Sequence, residues 1–429
     1  MSVHDVTVDA IRHDLIYLIL SLGDKMPSLG STTLTNLCSS INKHEANHIS
    51  SINTLESLSN MRTPHPPPKH PRPGLLHEYT DRLVAFEYAF ASTSSAPTYS
   101  KPHTLLFIPG LGDGLGTVAY LDDIAAALQD TEWSVFAPVV SSSYGGWGLS
   151  GLGRDIDEVA LCINYIHRYK GQRQGGGQGQ EHGQRQGRGK VVIMGHSTGS
   201  QDVLSYISAL NPRTPHLVLE RRRETVLRPS VDGAVMQAPV SDREAILSEL
   251  RMGNAQYTPA ELQRVYEEAI AAAKKHTYDE GEGLDTIVPL RVSAAFGYPA
   301  STAISSRRFL SLTSPDSPDR PGEDDLFSSD LSDERLRKTF GMVNARRVLN
   351  GQLLVLYSGS DPSVPKDVDK EGLLRRWREV TDAERGYWHP QSGIISGASH
   401  TMEGPRQVEQ RRILIHKVGR FLEDVVGST

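Results

Sequence analysis

From residue 83 to residue 398 the chain alternates short, continuous apolar runs with stretches whose apolar residues recur every three or four positions. The runs are LVAFEYAF (83–90), TLLFIPG (104–110), WSVFAPVV (133–140), VVIMG (191–195), GAVMQAPV (233–240), LLVLYSG (353–359) and GIISGA (393–398). A strand wetted on one face alternates apolar with polar; consecutive apolar residues indicate a strand covered on both faces. Helical patterns such as QDVLSYISAL (201–210) and VEQRRILIHKVGRFLEDVV (408–426) lie between or after the runs. The alternation predicts a doubly wound, mostly parallel α/β sheet.

Three segments depart from this pattern. Residues 1–72 are rich in Ser, Asn and His and end in TPHPPPKHPRPG, an extended, polyproline-like linker, so they are expected to be a largely disordered extension and the body to span 73–429. Residues 171–190, GQRQGGGQGQEHGQRQGRGK, contain almost nothing apolar to bury and are expected to form a disordered surface loop. The arginines there lack the interleaved aromatics that base stacking uses, which argues against an RNA-binding role. Residues 241–345 form a long insertion between two strands, expected to be a helical cap over the site. It includes a helix at 258–276, with Thr258 and Glu261 in capping-box spacing and Pro259 at the first helical position.

Candidate chemistry sits in GHSTG (195–199). A serine between a buried strand and a helix occupies a sharp turn, and Gly195 and Gly199 relieve the crowding that side chains would cause there. This is the nucleophile elbow of the α/β-hydrolase fold, which holds the hydroxyl at the C-terminal edge of the sheet. The alternative is an inert serine in a tight turn. A serine hydroxyl needs a base to attack at neutral pH, and in this fold the partners follow in the order serine, acid, histidine. Asp361 follows the strand at 353–359 and His400 the strand at 393–398. His400 is expected to act as base and then acid, with Asp361 fixing its tautomer. Other candidates are Asp242 for the acid, or as a helix cap, and His196 or His389 for the base. His196 adjoins the serine on the other side of the elbow and fits a packing role better.

Acyl transfer places negative charge on the carbonyl oxygen, which needs positioned donors. The backbone N–H groups of Thr198, after the nucleophile, and of Leu111, in the glycine-rich loop FIPGLGDG, are the expected pair. The spacing of Gly110, Gly112 and Gly114 does not match a dinucleotide fingerprint, and no lysine follows for a phosphate loop.

Composition narrows the partners. Across 429 residues, 45 Lys and Arg face 51 Asp and Glu for a formal charge of −6, which excludes nucleic acid or an anionic membrane as the main partner. The two cysteines, Cys38 and Cys162, are too few for a disulfide framework and lack metal-ligand spacing, so no metal or cofactor is expected. A reducing, cytoplasmic setting fits. LIYLILSLG (15–23) is preceded by Asp5, Asp9 and Asp14 where a secretion signal would be basic, and is too short to span a bilayer.

The segments PGLLHEYTDRLVAFEYA, GLGDGLGTVAYL, SSSYGGWGLSGLGRDIDEVA, MGHSTGSQDVLSYI, APVSDREA, DDLFSSDLSDERLRKTFG, YSGSDPSVP and GASHTMEG carry a more specific likeness. Over residues 73–425, the 171–190 insert apart, the chain resembles a fungal α/β-hydrolase-like family formerly described as a domain of unknown function. The resemblance implies an intracellular serine esterase that cleaves the ester bonds of fusarinine-type siderophores and so releases iron. Ser197, Asp361 and His400 would be its triad, with no metal cofactor and with iron arriving in the substrate. The competing functions are an esterase or acyltransferase for another fungal metabolite, and a catalytically silent binding module. The acidic run GEDDLFSSDLSDE (322–334) is either a rim attracting amine-bearing substrates or a solvated helix start. Tyr144 and Trp147 either line the pocket or pack beneath the cap.

Overall fold

The computed structural model describes residues 71–89, 101–174, 189–213, 225–278, 286–299 and 301–427. The expectations for 1–70 and for 175–188 fall outside the described residues. At the edges of these segments, Arg72 makes a bidentate bond to Asp122, with Nε–Oδ1 at 2.7 Å and Nη2–Oδ2 at 2.8 Å.

Eight strands form one sheet: β1 (Gly74–Glu78), β2 (Val84–Tyr88), β3 (His103–Ile108), β4 (Trp133–Pro138), β5 (Val191–His196), β6 (Gly233–Gln237), β7 (Leu353–Ser358) and β8 (Gly393–Ile395). Their order is β1-β2-β4-β3-β5-β6-β7-β8. The first two pairings, β1–β2 and β2–β4, are antiparallel and every other one is parallel. The apolar runs are the strands, and β1 is an addition to them. In β1 Leu75 and Leu76 are exposed and only His77 is buried, so neither alternation nor a continuous buried run marks it in the sequence.

The two faces of the sheet explain the continuous runs. Leu106, Ile108, Ile193 and Met236 pack with α2 (Leu152–Gln174) and α3 (Thr198–Ser208). The intervening Leu105, Phe107, Val192, Met194 and Val235 pack with α1 (Tyr120–Ala127) and α11 (Val408–Gly427). Successive side chains point to opposite faces, and both faces are dry.

Between β6 and β7 lie α4 (Asp242–Met252), α5 (Pro259–Tyr278), α6 (Leu290–Ala295), α7 (Ser306–Thr313), α8 (Asp333–Lys338) and α9 (Val343–Arg346). The insertion contributes to two cores. Ile246, Leu250, Leu262, Val292 and Phe309 form a cluster of their own with Trp147. Leu326, Phe327, Leu336 and Phe340 instead join the sheet's core, where Phe340 stacks on Trp377 of α10 (Lys370–Thr381) with ring centroids 5.1 Å apart. The start of α5 is a capping box: Glu261 Oε2 accepts from the Thr258 backbone N–H at 2.9 Å, and the Glu261 N–H reaches the Thr258 hydroxyl at 3.4 Å. Among the described residues no helix is long and apolar enough to cross a membrane.

Candidate active site

The turn after β5 is held by close packing. Ser197 has φ +55° and ψ −122°, a conformation that side chains rarely adopt. A Cβ at Gly195 would stand 2.0 Å from the Gly199 carbonyl oxygen, and one at Gly199 would stand 2.3 Å from that of Ile108. Any residue but glycine would force helix α3 away from the strand. The Ser197 N–H donates to the Gln237 carbonyl at 3.0 Å, which ties the strained residue to the neighbouring strand.

Three side chains that follow β5, β7 and β8 meet here at one edge of the sheet. His400 Nε2 is 2.8 Å from Ser197 Oγ, and His400 Nδ1 is 2.6 Å from Asp361 Oδ2. Asp361 Oδ1 accepts the Ser363 N–H at 3.0 Å, leaving Oδ2 directed at the imidazole. The carboxylate can only accept, so Nδ1 carries the proton and Nε2 is free to take one from the serine.

Electrostatics reinforce the relay. Burial disfavours the charged imidazole, but the Asp361 charge and hydrogen bond, with Asp113 and Asp242 adding to them, outweigh it and raise the His400 pKa. Burial likewise pushes Asp361 up, yet His400 and the Ser363 N–H bring it below the usual carboxylate value. The pair is poised as carboxylate and imidazole, and proton uptake by the ring is favoured.

Thr198 opens α3, where an N–H has no carbonyl four residues back inside the helix. Leu111 follows Gly110, at which a Cβ would lie 2.9 Å from Ser197 Cβ. Both backbones therefore border the serine. Leu111 also packs against the insertion's own core.

The alternatives lie elsewhere. Asp242 is bound by Gln201 Nε2 at 2.8 Å rather than by a histidine, and burial raises its pKa to about 6. Nor does it cap α4: Ser241 does, accepting the Glu244 N–H. His389 sits at the opposite edge of the sheet, its N–H on the Leu353 carbonyl at the start of β7 and its Nε2 3.1 Å from Asp424 Oδ2. His196 is fully buried and bonded to Gln237.

The acidic run is not an open rim. Asp324 is buried in a salt bridge with Arg308, and Asp325 is buried against the hydroxyls of Ser317 and Ser328. Asp330 pairs with Arg243, Asp333 with Arg376 and Glu334 with Lys338. Asp333 and Glu334 also stand in the first turn of α8 after the Ser332 cap, where the helix dipole favours them. Trp147 is buried against Tyr298, with ring centroids 4.8 Å apart, and is a packing residue. Tyr144 is 45% exposed and its hydroxyl donates to the Leu115 carbonyl at 3.2 Å. Among the described residues no group of three His, Cys, Asp or Glu side chains is placed to hold a metal.

Sequence reasoning passed over Gln237, whose backbone holds the elbow and whose side chain holds His196. The available signal was a lone amide in the apolar run GAVMQAPV, at a position covered on both faces.

Comparison with known proteins agrees with this architecture. The family described as "Protein of unknown function (DUF1749)" matches residues 61–423. Esterase AN6793 of Emericella nidulans is 64% identical over 378 residues, covering 86% of this chain and 97% of the relative. Fusarinine C esterase sidJ of Aspergillus fumigatus is 50% identical over 363 residues, covering 84% and 98%. The solved structure of siderophore hydrolase EstB from Aspergillus fumigatus superposes with a TM-score of 0.72 at 50% identity, covering 84% of this chain and 99% of that one. The fold is that of an α/β-hydrolase. With the family match running over most of the chain, and relatives aligned along nearly their whole length, the chain belongs to the DUF1749 family.

Proposed function

We propose that this protein is a serine esterase that hydrolyses the ester bonds of fusarinine-type hydroxamate siderophores, with Ser197, His400 and Asp361 as its triad. The observation that carries the chemistry is the unbroken relay, 2.8 Å from serine to histidine and 2.6 Å from histidine to aspartate. The substrate class is supported by the relatives described as a fusarinine C esterase and a siderophore hydrolase.

In this mechanism Ser197 Oγ attacks the ester carbonyl carbon as His400 Nε2 takes its proton. The carbonyl oxygen becomes an oxyanion, met by the N–H groups of Leu111 and Thr198; each such donor is worth about 10²–10³ in kcat. Collapse breaks the bond to the alcohol oxygen, which leaves with the proton from His400, and an acyl-enzyme remains. Water then loses a proton to His400 and attacks the acyl carbon. The acid departs and Ser197 recovers its proton. Asp361 stays ionised throughout and stabilises the imidazolium. Helices α4–α7 serve as the cap, and Gly195 and Gly199 let the nucleophile reach the sheet edge. Cutting the esters divides the chelator, so iron carried in by the substrate is held by fewer linked ligands. Inside the cell this would release it.

Incubation of the protein and of Ser197→Ala with ferric fusarinine C and its triacetyl form, followed by mass spectrometry, tests the proposal. Cleavage that is lost in the variant supports it. If neither siderophore is cleaved but a fluorophosphonate labels Ser197, the serine is a nucleophile and the substrate assignment is wrong. Absence of both activities leaves a binding module.

A further inference from the structure

Gln237 ends β6 and is the register partner of His196, which ends β5. Both side chains are fully buried. The Gln237 amide oxygen accepts from the Tyr120 hydroxyl at 2.8 Å, and its amide nitrogen reaches Ser358 Oγ at 3.3 Å. The atom facing His196 Nδ1, 2.5 Å away, is the amide oxygen. An amide oxygen only accepts, so His196 carries its proton on Nδ1. Its Nε2 is buried and has no hydrogen-bond partner among the described residues.

The ring lies against the general base proposed above, with the His196 and His400 centroids 5.0 Å apart and the planes at 47°. Tyr120 meets it edge-on from the other side, at 5.6 Å and 86°. The ionisable groups that act on it are His400, Asp113 and Asp361. Burial first, and His400 next, bring its pKa down to about 4, so it stays neutral. The same Gln237 accepts the Ser197 N–H and the Ser200 hydroxyl, at 3.0 and 3.1 Å, on its main-chain oxygen.

We infer that Gln237 is a positioning residue for the hydrolytic reaction: it locks His196 as a neutral, Nδ1-protonated ring that backs His400. A like charge beside His400 would oppose the imidazolium that forms in the transition state. The inference rests on His400 being the base, as proposed above.

Spectra of the protein labelled with ¹⁵N in its histidine rings read the tautomer without any substrate. His196 is expected as an Nδ1–H ring that does not titrate while His400 does, and Gln237→Met is expected to abolish that state. An Nε2–H ring, or a His196 that titrates together with His400, would overturn the inference. Kinetics supply the second arm. Gln237→Met should lower kcat about tenfold with KM within about twofold, because displacing a reacting group by an ångström costs up to about a hundredfold. In a His196→Phe, Tyr120→Phe background, where neither ring needs the amide oxygen, the same substitution should cost less than about twofold. Losses that simply add would mean that Gln237 acts on the fold and not through His196. If Ser197→Ala proved as active as the wild type, the esterase mechanism would fall while the tautomer would still be measured, so the two failures are distinguishable.

Discussion

Of the histidine–carboxylate pairs among the described residues, two lie at opposite edges of the sheet and behave in opposite ways. His400, at the C-terminal edge, faces Asp361, whose side chain has no exposure, and its pKa is raised. His389, at the start of β7, faces Asp424, whose side chain is 48% exposed, and its pKa is lowered. Burial opposes the charged ring in both. At the C-terminal edge the carboxylate is itself out of water, is fixed by the Ser363 N–H and is assisted by Asp113 and Asp242. At the other edge water screens Asp424, and the Lys417 charge opposes protonation of the ring. Of these two carboxylates, only the one held out of water outweighs the burial of its ring.

The strongest way to break the comparison is to neutralise each carboxylate in turn. Asp361→Asn should lower kcat by about 10³–10⁴, because an amide no longer enforces the productive tautomer. Asp424→Asn should leave kcat within about twofold and cost at most about 1 kcal/mol, as for a half-exposed ion pair. Ester turnover and urea unfolding measure the two effects; a comparable loss of kcat in both variants would mean that the edges are not functionally distinct.

A second contrast concerns packing at two glycines. Gly199→Ala places a Cβ 2.3 Å from the Ile108 carbonyl oxygen and should destabilise by about 1–3 kcal/mol while displacing Ser197. Gly419→Ala, in α11, meets nothing within 4 Å and should stabilise by about 0.5–1 kcal/mol with turnover unchanged. Unfolding midpoints of the two variants should move in opposite directions.

The smallest effect is on the pH profile. His400 must be neutral to accept the serine proton, and its raised pKa keeps it protonated to a higher pH than an ordinary imidazole. As pH falls, kcat/KM should therefore decline earlier than a free histidine would dictate. In Asp361→Asn the acid limb should move to lower pH, since burial is then opposed only by the weaker influence of Asp113 and Asp242. His389→Gln should leave the limb in place. A limb unaffected by Asp361→Asn would show that His400 does not govern it.

Much of this was legible in the chain. Continuous apolar runs mark strands dry on both faces, and the order of Ser197, Asp361 and His400 along the chain matches their order of assembly at the sheet edge. The strand β1 was not legible, because an edge strand with Leu75 and Leu76 in solvent lacks any burial pattern. The sequence left the acidic run at 322–334 open between a rim and a helix start because it displays charge without partners. Arg308, Arg243, Arg376 and Lys338 neutralise most of it, and the first three lie on other helices.

The sequence by itself determined the layered fold and the elbow, and narrowed the relay to a few candidate acids and histidines. Strand periodicity and the glycines of a tight turn are local properties, and the order of the triad follows the order of parallel strands. Only the tertiary structure decided which of two late histidines is raised and which lowered, which acid faces the ring, and that Gln237 holds both the elbow and His196. Those outcomes depend on the burial and reach of groups tens to hundreds of residues apart, set only when the strands carrying them lie side by side.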